Sequence, residues 1–90
     1  GRMSPGTLAQ ETRLTLENLA RTLTAAGSSM SQVLKVTAYL TDMANFKEFN
    51  AVYAEFFAGE NPPARTCVEV TRLPYNFRVE IDVIAVGKPA

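Results

Sequence analysis

The stretch PPARTCVEVTRLPYNFRVEIDVIAV, Pro62 to Val86, decides how this chain folds. Successive side chains of a strand point to opposite faces. On that rule Ala64 to Val70 and Phe77 to Val86 read as strands. In the second, Phe77, Val79, Ile81, Val83 and Ala85 share an apolar face, while Glu80 and Asp82 take the other. The connecting Arg72-Leu73-Pro74-Tyr75-Asn76 carries turn chemistry in Pro74 and Asn76, so the expected pairing is a hairpin around Leu73 to Asn76. The first strand opens with Arg65, two residues before Cys67, the only thiol in the chain, and alternation puts both on one face.

Upstream, Val33 to Leu40 (VLKVTAYL) is rich in β-branched and aromatic residues, with Leu34, Val36, Ala38 and Leu40 on one face and Lys35, Thr37 and Tyr39 on the other. Between the strands, Asn45 is the expected cap of a helix with Glu48 three residues on, and Phe46, Phe49, Val52, Tyr53, Phe56 and Phe57 give it a broad apolar face. Gly59 and Asn61-Pro62-Pro63 end it, because proline cannot continue a helix. An earlier helix starts after Thr7, with Gln10 in the capping-box position, and carries Leu8, Thr12, Leu16, Leu19, Leu23 and Ala26 as its stripe. Gly27 is its expected stop. Arg13, Glu17 and Arg21 form a solvated charged ladder on another face. Gly1 to Gly6 reads as a short polar turn. The order α-β-α-β-β predicts an α+β fold, one domain over residues 1–90, with two helices on one face of a mixed sheet.

Lys plus Arg and Asp plus Glu balance at nine each, with no block of like charge, which argues against a nucleic-acid footprint. The chain has no histidine and one cysteine, which excludes a Ser-His-Asp triad, a Cys-His dyad, a Cys/His zinc site and an intrachain disulfide. A single unpaired thiol fits a reducing compartment, and no apolar run approaches the roughly 20 residues of a membrane span. The expectation is a soluble, cytoplasmic protein. Ninety residues bury little more than about 60% of their unfolded surface, so an oligomer is a reasonable prior.

LTDMANFKEFNAVYAEFF followed by PPARTCVEVTRLPYNFRVEIDVIAV resembles the Rid/YjgF family of reactive-intermediate deaminases, also known as L-PSP endoribonucleases or translation inhibitors. The combination of P-A-R-x-C-V-E-V, a turn containing L-P and V-E-I-D-x-I-A-V is long and specific, and the resemblance covers nearly all ninety residues. It implies a chorismate-mutase-like fold, a homotrimer with clefts between subunits, and hydrolysis of 2-imino acids to 2-keto acids and ammonia without a metal or organic cofactor. By motif position it places the substrate-carboxylate arginine on Arg65, the cleft cysteine on Cys67, the cleft asparagine on Asn50 and the water-associated glutamate on Glu80. Members of the family begin with a β-hairpin ahead of the first helix, which this sequence lacks, so the chain is expected to be N-terminally truncated.

Each residue has a plainer reading beside the functional one. Arg65 could pair with Glu69 or be solvated; within the motif, its planar fork suits a carboxylate. Glu80 could simply face outward; if buried in its apolar strand, its pKa would rise toward that of a proton carrier. Cys67 has no histidine to activate it and is expected to line the cleft rather than attack. Asn50 interrupts an aromatic stripe and needs hydrogen-bond partners if buried. Tyr53, Phe56 and Phe57 are expected to be core or subunit contacts rather than a platform for bases.

In the hairpin pairing, Glu80 falls opposite about residue 69, roughly 13 Å along the strand from Arg65, too far for one small imino acid to touch both. The two would then meet only across subunits. The face around Leu34, Val36, Val68 and Val70 is expected to need cover by other copies. Two alternatives to the deaminase are a non-catalytic trimer that binds small carboxylates and, less favoured, an endoribonuclease.

Overall fold

The computed structural model describes residues 6–87. The turn-like reading of Gly1 to Gly6 therefore lies almost wholly outside the described residues. Helix α1 (Leu8–Ala25), strand β1 (Val33–Leu40), helix α2 (Phe46–Phe56) and strands β2 (Ala64–Glu69) and β3 (Val79–Ala85) follow in the expected α-β-α-β-β order. Short 3-10 turns at Met30–Gln32, Met43–Asn45 and Pro74–Asn76 lie between them.

Both ends of α1 are as its sequence dictates. Thr7 Oγ1 accepts from the Gln10 backbone N–H at 3.1 Å while Gln10 Oε1 accepts from the Thr7 N–H at 2.8 Å, a complete capping box. At the other end Gly27 takes φ 82°, Ser28 N–H donates to Leu23 O at 2.8 Å and Gly27 N–H donates to Thr24 O at 3.1 Å. These are the two bonds of a Schellman stop, which a left-handed residue makes possible. Thr12, fully buried, donates its hydroxyl to Leu8 O at 2.8 Å. That local bond is what allows a threonine in the apolar stripe.

The start of α2 differs from expectation. Asn45 makes no side-chain cap; the chain enters through the Met43–Asn45 turn, where Asp42 Oδ1 accepts from the Ala44 N–H at 2.8 Å. Glu48 is not part of a capping box. Its Oε2 accepts from the Ala9 N–H at 3.0 Å, so a carboxylate of α2 serves the positive first turn of α1. The charged ladder of α1 is also partly engaged: Arg13 reaches Glu55 of α2 at 2.9 Å.

The sheet order is β2-β1-β3, with β1 parallel to β2 and antiparallel to β3. The expected β2–β3 hairpin does not form. β1, α2 and β2 make a crossover unit that lays β2 parallel along one edge of β1, leaving the other edge for β3. Residues 70 to 78 instead pass across the end of β1, tied down where Val70 N–H donates to Leu40 O at 2.8 Å and Thr41 N–H donates to Arg78 O at 3.1 Å. Leu73 is buried within that crossing.

Both helices cover one face of the sheet. There Val36, Ala38 and Leu40 of β1 are fully buried with Leu16, Phe49 and Val79, and Ile81 and Val83 pack against them. Val36 is thus a core residue under the helices, not part of the uncovered face as the sequence suggested. Leu34 departs from the expected alternation because a register shift between Val33 and Lys35 makes it a bulge residue, 59% exposed. The uncovered face carries Thr37, Tyr39, Thr66, Val68, Glu80, Asp82 and Ile84, a mixed surface rather than an apolar patch.

Candidate functional site

Arg65, the second residue of β2, is in register with Val36, so its side chain leaves the sheet on the helix face and runs up against α2. Its guanidinium carbon lies 4.6 Å from the centroid of Tyr53 and 5.4 Å from that of Phe46, and its Nη1 donates to Asn50 Oδ1 at 2.5 Å. Phe46, Asn50 and Tyr53 are spaced four and three residues apart, which aligns them along one side of α2. Arg65 is half-buried, and among the described residues it has no carboxylate partner. Glu69 does not pair with it; the Glu69 Oε1 accepts from the Met43 N–H at 2.8 Å.

Cys67 follows on the same face, in register with Ala38, half-buried and packed against the core. Burial pushes its thiol pKa up, partly opposed by the Arg65 cation. Tyr53 is affected likewise: burial raises its hydroxyl pKa and Arg65 counters. Both groups therefore remain neutral beside the cation near pH 7. Arg65, Asn50 and Cys67, three residues singled out in the sequence, are thus brought together. The sequence marks Phe46 and Tyr53 as apolar helix residues. Their spacing around Asn50 was the available sign that they flank the same point.

Glu80 is placed elsewhere. It aligns with Tyr39 on β3, between Val79 and Ile81, which face the core, and so projects from the uncovered face, exposed to solvent. The burial that was to make it a proton carrier is absent in the single chain. Three residue steps and two strand spacings separate it from Arg65, about 14 Å between backbones, with the sheet between the side chains. Beside it Tyr39 has a raised pKa, through desolvation first and then the charge and hydrogen bond of Asp82.

A cleft of about 430 Å³ opens where the end of α2 meets the start of β1, lined by residues that include Met30, Val33, Phe56, Phe57 and Pro62. None of Arg65, Asn50, Cys67 or Glu80 lines it, and it contains no cationic side chain. Size alone does not make it the better site; the convergent polar groups are at Arg65. Among the described residues, no three His, Cys, Asp or Glu side chains gather as a metal site, and no helix is long and apolar enough to cross a membrane.

A family model described as endoribonuclease L-PSP matches residues 1–87. A RutC family protein of Pyrococcus horikoshii is 49% identical over 85 residues, covering 94% of this chain and 67% of that protein. The Escherichia coli protein named "Putative reactive intermediate deaminase TdcF" is 39% identical over 84 residues, covering 91% of this chain and 65% of its own length. The chain thus spans about two thirds of these relatives. Among solved structures, E. coli TdcF with bound serine superposes with a TM-score of 0.87 at 38% identity, over 96% of this chain and 69% of that one. Yeast Mmf1 gives 0.88 at 41%, over 92% and 66%.

Proposed function

This chain belongs to the Rid/YjgF family, and from that premise we propose that it hydrolyses reactive 2-imino acids to 2-keto acids and ammonia. The observation that carries the reading is Arg65: a half-buried guanidinium, held by Asn50 and two aromatic rings, whose remaining donors meet no carboxylate among the described residues. A planar fork held in this way suits a carboxylate ligand. A relative of the same fold has been solved with serine bound, and serine carries a carboxylate next to a nitrogen-bearing carbon, the arrangement found in a 2-imino acid.

In this mechanism Arg65 anchors the carboxylate, Asn50 orients the guanidinium and the Cys67 thiol, kept neutral by burial, lines the site without attacking. Glu80 of a neighbouring copy positions water. Water adds to the C=N carbon with one of its protons passing to the nitrogen; the hydroxyl of the resulting carbinolamine then gives its proton to that nitrogen as the C–N bond breaks, releasing ammonia and leaving the keto acid. The imine is already electrophilic, so positioning and proton relay suffice for the step. Because Glu80 and Arg65 lie on opposite faces of one chain, the reading requires an assembly, for which we propose the trimer that the family resemblance implies.

The test is ammonia or keto-acid release from imine generated in situ by a dehydratase. Arg65→Ala should abolish the acceleration, and Arg65→Lys, which keeps charge but loses the fork, should retain only a small part. Equal rates with wild type and Arg65→Ala would overturn the proposal. The exposure of Glu80 in the single chain favours one other reading, a binding module without turnover. Calorimetric binding of 2-ketobutyrate or pyruvate with no imine hydrolysis would select it.

A further inference from the structure

We propose that Tyr53 and Phe46 are positioning residues for carboxylate recognition: their rings hold the Arg65 guanidinium so that the fork edge not bonded to Asn50 is presented to the ligand. The inference rests on the reading of Arg65 as the carboxylate anchor. Three observations carry it. The guanidinium carbon lies within 6 Å of both ring centroids, at 4.6 and 5.4 Å, the range in which a cation is attracted by the ring quadrupole. Phe46, Asn50 and Tyr53 come from one side of a single rigid helix, so the three contacts are set together rather than by a mobile loop. Tyr53 is itself held in a ladder of rings, 5.6 Å from Phe49 and 4.7 Å from Phe57, which restricts how it can move.

An unrestrained arginine loses much rotamer freedom when it binds a ligand; one already held between rings and an amide has lost it on folding. The rings also exclude water from the guanidinium without competing for its N–H donors. A carboxylate partner for Arg65 would have spent those donors. Asn50 takes only one of them, and the rings take none. Affinity should therefore depend on the presence of the rings and not on the Tyr53 hydroxyl.

The experiment is calorimetric titration of the full chain with pyruvate and 2-ketobutyrate, for wild type, Phe46→Leu, Tyr53→Leu, Tyr53→Phe and Arg65→Ala, with thermal melts of each. Loss of either ring should weaken Kd roughly five- to thirtyfold. Tyr53→Phe should recover most of what Tyr53→Leu loses. Phe46 is half-buried, so its variant is informative even if Tyr53→Leu fails to fold. If Arg65→Ala abolishes binding while folded Phe46→Leu and Tyr53→Phe both bind as wild type, with Tyr53→Leu either doing the same or not folding, the positioning role is wrong and the anchor reading stands. If Arg65→Ala binds as tightly as wild type, or wild type binds neither acid, the anchor reading fails and the inference with it.

Discussion

Arg65 and Glu80 stand on opposite faces of the same three-stranded sheet: Arg65 lies under the helices against Tyr53 and Phe46, and Glu80 projects from the uncovered face beside Tyr39. Each edge strand of the sheet carries one of them, so within a single chain the two side chains cannot close on one small ligand. This separation constrains function more than any single distance. A small ligand bound at Arg65 can meet a glutamate at position 80 only if a second chain supplies it.

The thiol of Cys67 should titrate late. Its neutral form is favoured by burial and opposed only in part by Arg65, so its pKa lies above that of an ordinary thiol and its thiolate fraction at any given pH is smaller. The rate of alkylation by iodoacetamide should therefore rise at higher pH than for a short unstructured peptide carrying the same residues. Removing the cation with Arg65→Ala should move the profile higher still. A profile at or below that of the peptide would show an activated thiol and contradict the role of passive lining.

Element types and most boundaries were legible in the sequence because they are local: the Thr7–Gln10 box, the Gly27 stop and the alternation in Val33–Leu40 act over a few residues. The partner of each strand was not. β2 and β3 follow one another with turn residues between them, and proximity in sequence suggested a hairpin. The choice was made instead by β1, the most buried strand, which takes a neighbour on each edge. Val36 was misplaced because the bulge at Leu34 breaks the alternation that linked the two residues. Of the candidate site, Arg65, Asn50 and Cys67 lie together on the helix face. That Glu80 points away from the core was legible in the alternation of β3; that Arg65 lies across the sheet from it depended on the register of β2 on β1, which no local pattern states.

Glu11 should be a major contributor to stability. Its carboxylate accepts from the Arg78 N–H at 2.5 Å and the Val79 N–H at 3.1 Å and pairs with Arg78 Nε at 2.8 Å, with only 12% of its side chain exposed. It thereby joins α1 to the start of β3. Glu11→Gln replaces an acceptor-only group by an amide that must direct a donor at one of these N–H groups. The expected loss is about 2–3 kcal/mol in urea unfolding. Glu17→Gln, on the exposed side of the same helix, should change stability by less than about 0.5 kcal/mol. Equal effects from the two would refute the assignment.

The Pro74–Asn76 turn should be improvable. Tyr75 and Asn76 both have φ 59°, and Tyr75 is 89% exposed, with an edge contact to Phe77 as its aromatic partner. A left-handed backbone costs an ordinary L-residue about 1–2 kcal/mol, and asparagine tolerates it better. Tyr75→Asn should therefore stabilise the fold by about 0.5–1 kcal/mol, raising Tm by about 3–6 °C in a domain of this size. A lower Tm would mean that the Tyr75–Phe77 contact outweighs the strain.

The separation of Arg65 and Glu80 can be tested by complementation. If three chains close a ring in which each cleft takes Arg65 from one copy and Glu80 from the next, neither Arg65→Ala nor Glu80→Gln chains should be active alone. A mixed trimer, however, always contains one cleft where an unaltered Arg65 from a Glu80→Gln chain faces an unaltered Glu80 from an Arg65→Ala chain. Random assembly at equal proportions should leave about a quarter of clefts intact, and imine hydrolysis should recover to about that fraction of the wild-type rate. Unfolding and reassembling the mixture is needed so that chains exchange, and the mass of the trimers verifies that they have. Light scattering that shows only a folded monomer of 9.8 kDa would rule out the ring. Verified heterotrimers without activity, when each chain is folded, would show that Glu80 and Arg65 do not share a cleft, because the geometry of a single chain leaves them no other way to meet.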